Sequence, residues 1–220
     1  MNTTQSIEIT SVRALAEALG HEAILAELEM FNEWDVKSLI ELLINHYHFD
    51  TRKNIIGIYD LAQEVSAKHS LKHPELTKLT TALFLFFDDL LFHLKKEEQV
   101  LFPNMIHLMK KVSTADTSTY TRFGLVKEMV LAMQNENYVI VKKLMLLREL
   151  TDHYMVPGDA CRYYKSLFER MKDLERSLLL YTHLENDNLF PKTVQLEEGF
   201  TKQFTKQKLE INSMFLKLTH

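Results

Sequence analysis

The chain has 220 residues, 46% of them apolar and 25% charged, with only 5 Gly, 4 Pro and a formal net charge of −4. That size suits one domain with short extensions, and the scarcity of turn-formers favours a few long helices over a sandwich or barrel. There is no basic stripe to neutralise a phosphate backbone and no apolar run near the ~20 residues of a membrane span, and a lone Cys161 excludes a disulfide framework, so nucleic acid and membrane are not expected partners.

The opening residues, MNTTQSIEITSVR, lack the basic-then-apolar pattern of a secretory signal, so a cytoplasmic location is expected. Residues 1–31 are expected to form an extension of one or two short helices. A long helix is predicted from about Trp34 to Lys68, with Leu39, Leu43, Tyr47, His48, Ile55, Ile58 and Ala62 inward. His73-Pro74 breaks it, because the proline ring disfavours helix at the preceding residue. A second helix runs from about Glu75 to Lys111 through Leu79, Leu83, Phe86, Leu90, His93, Glu97, Leu101 and Leu108. After a polar loop at residues 113–119, a third covers about Phe123 to Leu150 through Val126, Val130, Met133, Asn137, Val141 and Leu144. Val156-Pro157-Gly158-Asp159 makes a turn, with Asp159 a candidate N-cap. A fourth helix covers about Ala160 to Gln195 through Leu167, Leu174, Leu178, Tyr181, Glu185 and Leu189, and residues 196–220 form an amphipathic tail. The architecture expected is all-α: an up-down-up-down four-helix bundle over residues 32–195, with short N-terminal helices and a C-terminal amphipathic helix.

His48, His93, Glu97, Asn137, Tyr181 and Glu185 all fall on the inward stripes, where apolar residues belong. A buried carboxylate needs a partner, a proton or a metal, and two carboxylates with histidines are the composition of a helical-bundle iron site. Counted from the first turn at a rise of ~1.5 Å per residue, His48, His93 and Glu97 reach the same level of an antiparallel pair. His69 lies about 31 Å from His48 along a continuous helix and is excluded.

An internal repeat strengthens the reading. His93-Leu-Lys-Lys-Glu97-Glu-Gln-Val-Leu-Phe-Pro103 aligns without a gap on Tyr181-Thr-His-Leu-Glu185-Asn-Asp-Asn-Leu-Phe-Pro191, and His48 and Asn137 lie 45 and 44 residues upstream. Two hairpins related by an approximate two-fold follow. One offers His48, His93 and Glu97, and the other Asn137, Tyr181 and Glu185. His183 points about 200° away from Tyr181 around its helix and does not replace it.

With Ile44-Asn-His-Tyr-His48, Leu150-Thr-Asp-His-Tyr-Met-Val-Pro-Gly-Asp-Ala-Cys161 and Leu184-Glu-Asn-Asp-Asn-Leu-Phe-Pro191, these motifs resemble the hemerythrin-like domain. Within it, they resemble the proteins that repair iron-sulfur centres. The likeness covers about Trp34 to Lys192. It implies a non-haem di-iron centre bridged by two glutamates, and a role in nitrosative and oxidative stress. His48, His93, Glu97 and Glu185 match ligand positions; Asn137 and Tyr181 stand where the family pattern has His, and are at most weak ligands. Relatives often carry a preceding small domain with adjacent cysteines, and residues 1–31 contain none.

The donor set suits iron, one or two ions, with manganese or zinc as competitors. One well-held ion is favoured. Iron-sulfur proteins and a second copy of the chain are the partners considered; catalytic residues and turnover are left open. Two other readings stand beside an iron protein of stress response: a module that senses or stores iron, oxygen or nitric oxide, and a metal-free bundle that acts through partner binding.

Overall fold

The computed structural model describes residues 29–115 and 124–218, with side chains described as far as residue 210 except for residue 207. The short helices expected before residue 29 therefore lie outside the described residues. All regular structure among those described is helical, in four long rods. Rod α1 comprises Val36–Leu42, a π-helical turn Leu43–His48 and Phe49–His69. Rod α2 comprises Glu75–Lys96, a π-helical turn Glu97–Leu101 and Phe102–Thr114. Rod α3 is Leu125–Leu150, without interruption. Rod α4 comprises Arg162–His183, a π-helical turn Leu184–Leu189 and Phe190–Leu218.

Each rod packs on its two neighbours in the ring, α1 on α2 and α4, and α3 on α2 and α4, as short links between antiparallel helices dictate. The predicted inward stripes are the buried ones: Leu39, Leu43, Ile58, Leu83, Leu90, Val141, Leu144, Leu167 and Leu178 are all excluded from solvent or nearly so. At ~25 cal/mol per Å² such burial is the main force holding the rods together.

The rod ends are tied individually. Asp35 Oδ1 accepts from the Ser38 backbone N–H at 2.7 Å and caps α1. Rod α3 begins after Gly124, whose φ of 80° suits a residue without Cβ, and no side chain there caps it. The cap comes from α4: buried Glu197 accepts from the N–H groups of Val126 at 3.3 Å and Lys127 at 2.9 Å, placing a negative charge at the helix N-terminus. The expected separate tail helix is a continuation of the fourth rod through Gly199, buried at Phe200 and exposed by Leu209.

Between α3 and α4, Asp152, His153 and Tyr154 take φ values of 47°, 55° and 61°, a left-handed run that costs ~1 kcal/mol or more per non-glycine residue. It is pinned from below. The buried Tyr154 hydroxyl donates to Glu175 Oε2 at 2.6 Å, and Arg148 donates to Glu175 Oε1 at 2.6 Å. Asp159 is not the N-cap of α4; Cys161 holds that position. The Asp159 carboxylate instead accepts from His73 Nε2 at 3.0 Å, closing the loop onto the α1–α2 turn.

Candidate metal centre

All six polar residues predicted to face inward do so: His48, Glu97, Asn137, Tyr181 and Glu185 are fully buried, and His93 nearly so. One ligand atom each from His48, Glu97 and Glu185 lies within 4.8 Å of the others. Glu97 stands between the two imidazoles, its Oε2 3.4 Å from His48 Nε2 and its Oε1 3.1 Å from His93 Nε2. Neither approach has hydrogen-bonding geometry. Asn137 Nδ2 donates to Glu185 Oε2 at 2.9 Å and to Asn186 Oδ1 at 3.3 Å. The Tyr181 ring lies edge-on to that of His48, with centroids 5.9 Å apart. His69 sits at the other end of α1 against His73 and Tyr164, away from this group.

Backbone geometry explains how the ligands converge. The Phe102 N–H bonds to the Glu97 carbonyl and the Phe190 N–H to the Glu185 carbonyl, each five residues back. Pro103 and Pro191 follow directly and cannot donate to the carbonyl four residues back. A widened turn just before each proline absorbs that gap, so Leu-Phe-Pro is the sequence signature of a π turn beginning at or beside the glutamate. His48 closes the third π turn, whereas Asn137 lies on regular α-helix. The two-fold therefore holds for α2 and α4 and fails between α1 and α3.

Four supporting residues escaped the sequence reading. His48 Nδ1 pairs with Glu98 Oε1 at 2.8 Å, and Arg52 donates to the same oxygen at 2.8 Å. His93 Nδ1 pairs with Glu136 Oε2 at 3.2 Å, and Lys96 also bonds Glu136. On the inward side, His48 and His93 leave their Nε2 atoms without hydrogen bonds; so do both Glu97 oxygens, Glu185 Oε1, the Tyr181 hydroxyl and Asn137 Oδ1. A carboxylate on Nδ1 and a bare Nε2 aimed at carboxylates is how protein histidines are prepared for a metal. A cleft of about 280 Å³ between α2 and α3, lined by Phe92, His93, Lys96, Glu136 and Val139 among others, reaches His93 from the surface.

The electrostatics agree. Burial pushes the Glu97 carboxyl up to about 8, and burial together with the Glu97 charge holds Glu185 well above the usual carboxylate range. Burial drives His48 down to about 4, against the pull of Glu98. Tyr181 is raised well above the ordinary phenol by burial and by the charges of Glu97 and Glu185. For Glu98 and Glu136 burial acts upward, but their hydrogen bonds to Arg52 and His48, and to Lys96 and His93, outweigh it and keep them ionised. Two imidazoles, that of His48 held neutral by burial, and two carboxyls raised by burial form a donor set suited to a divalent transition metal.

Comparison with known proteins points the same way. Residues 39–193 match the Hemerythrin HHE cation binding domain. The iron-sulfur cluster repair protein ScdA of Staphylococcus epidermidis is 26% identical over 158 residues, 72% of this chain and 66% of that protein, so the match spans somewhat under two thirds of the relative. The iron-sulfur cluster repair protein YtfE of Musicola paradisiaca is 27% identical over 183 residues, 80% of this chain and 77% of the relative. Its counterpart in Yersinia pseudotuberculosis is 24% identical over 192 residues, 87% and 80% of the two chains. No helix among the described residues is long and apolar enough to cross a membrane.

Proposed function

The chain belongs to the Hemerythrin HHE cation binding domain family, and from that premise we propose that it is a non-haem iron protein of iron-sulfur cluster repair under nitrosative or oxidative stress. It holds one ion between His48, His93, Glu97 and Glu185. The observation that carries this reading is the convergence of unbonded buried atoms, two imidazole Nε2 and three carboxylate oxygens, at one level of an apolar bundle. Left bare, each such atom costs ~1–3 kcal/mol, and a cation removes the cost of all five together.

Iron bound there supplies a one-electron redox couple and a Lewis acid with open positions. The protein's own groups do the rest. Glu98 and Glu136 fix the tautomer of each imidazole, with the proton on Nδ1 and the lone pair on Nε2. Glu97 and Glu185 give up protons as metal enters and take them back as it leaves, so loading and release are coupled to pH. Tyr181 stays protonated and presents a hydroxyl donor to whatever shares the cavity.

Protein purified from iron-replete cells should carry close to one iron per chain, and excess metal at about 100 times its dissociation constant should add ~2.7 kcal/mol of stability. A melting temperature indifferent to iron, zinc and chelator would sink the site. Loaded protein should then restore a nitric-oxide-damaged iron-sulfur enzyme. Iron held tightly without any restoration would favour a second reading, an iron or small-ligand binding module, which the Asn137 and Tyr181 replacements already support.

A further inference from the structure

We propose that Asn137 restricts this centre to a single ion, its carboxamide N–H groups taking the place a second cation would occupy beside Glu185. The inference rests on the one-ion reading above and supplies its cause. Glu97 and Glu185 offer four carboxylate oxygens to the cavity. Three of them, both on Glu97 and Oε1 of Glu185, accept from no amide, imidazole or hydroxyl donor, the two carboxyls facing only each other, while the fourth, Glu185 Oε2, accepts from Asn137 Nδ2 at 2.9 Å. Glu97 thus has both oxygens free of amide donors, whereas Glu185 Oε2 has one lone pair taken by an N–H. Beside that oxygen, where the first half sets an imidazole Nε2, the second half sets a donor hydrogen and so no ligand atom for a second cation.

The orientation of the amide is fixed from behind. Its other N–H donates to Asn186 Oδ1 at 3.3 Å, so both hydrogens are committed and the nitrogen, which is no metal ligand, faces Glu185. The repeat places Asn137 opposite His48 and Asn186 opposite Glu98. In the first half that pair is an imidazole with its carboxylate, aimed at metal. In the second half it is two amides bonded to each other and to Glu185. The backbone differs as well, since α3 runs as plain α-helix where α1 widens to a π turn at His48.

The test is a cobalt(II) titration of metal-stripped, full-length protein, read by visible absorption and by EPR, on wild type, Asn137→Asp and Asn137→Leu. Aspartate has nearly the same shape, releases Glu185 Oε2 and adds a carboxylate. Stoichiometry should rise from about one toward two, and the EPR signal of an isolated ion should give way to that of a coupled pair. Leucine removes the donor and adds no ligand, so binding should remain at about one ion and weaken by roughly 10–100-fold, the usual loss when a ligand's supporting hydrogen bond is removed. Folded Asn137→Asp that still takes a single ion overturns the proposal. So does Asn137→Leu binding one ion as tightly as wild type, which decides the matter if the aspartate variant fails to fold. The unmutated protein separates this from the underlying reading: wild type that takes two ions, or none, refutes the one-ion site before any variant is compared.

Discussion

Replacing Glu97 by glutamine should make the metal-free protein both more stable at neutral pH and less sensitive to pH. In the unfolded chain the Glu97 carboxyl titrates near its ordinary 4.5, whereas burial raises it to about 8 in the fold. Between those values the folded state keeps a proton that the unfolded state has lost, so stability falls as pH rises from about 4.5 to about 8. At ~1.4 kcal/mol per pH unit, the interval from pH 5 to pH 7 removes about 3 kcal/mol through this one group. His48 works in the opposite direction: its folded value near 4 lies below the ordinary 6.5, so its contribution is lost as pH falls through that window. Comparing wild type with Glu97→Gln cancels the His48 term, since both proteins retain it. The assay is urea unfolding in chelator at pH 5 and pH 7. The wild type should lose about 3 kcal/mol more than the variant over that interval, and relief of Glu185 in the variant can only widen the gap. Equal pH slopes would mean that Glu97 is ionised in the metal-free fold and that the cavity is wetter than its burial implies.

Metal affinity should rise with pH up to about 8, because Glu97 must shed its proton; calorimetry at pH 7 in buffers of different ionisation enthalpy should register proton release, and none would contradict the assignment. Glu98→Ala frees His48 Nδ1 and should weaken metal binding ~10–100-fold, with Arg52→Ala losing less, whereas unchanged titration curves would reduce both to surface charges. Combining Asn137→His with Tyr181→His should raise iron from about one toward two per chain and hold the second ion more tightly than a change at position 137 alone, since both add a ligand to one half-site and Asn186 Oδ1 stands ready to accept from an imidazole at position 137. A folded double variant with one iron would show that the straight backbone of α3, and not its side chains, sets the limit.

The stripes of α1 to α4 were readable because each apolar position recurs at helical spacing, and the six polar exceptions stood out against them. Glu98, Glu136, Arg52 and Lys96 did not, because each lies beside the inward stripe, where a charged side chain reads as solvated. Their pairing spans 40 to 50 residues of chain and becomes visible only once the rods are assembled. The π turns of α2 and α4 have a signal in Leu-Phe-Pro, whose proline marks the repeat and the widened ladder alike; the turn in α1 has no proline and no such signal. Asp159 looked like a cap in isolation, yet His73, 86 residues away, claims its carboxylate. Gly199 obscures the continuous fourth rod; its helix penalty of ~1 kcal/mol is set against burial of Phe200 and the hydrogen bonds of Glu197 to the start of α3.

Three of the four rods change pitch at one level of the bundle, whereas rod ends of the bundle are fastened by Asp35, by Glu197 and by the Tyr154–Glu175–Arg148 cluster. The molecule therefore has a waist, the level at which the α-helical ladder gives way to π turns and the carboxylates sit. Rotation of the turn at 97–101 or 184–189 would withdraw a ligand while the poles stay packed, so an ion held there would need only a local opening, far cheaper than unfolding, to leave. A storage protein would gain from closing that waist. A protein that delivers iron to another needs its cargo held by the one part of the fold that can open without the rest.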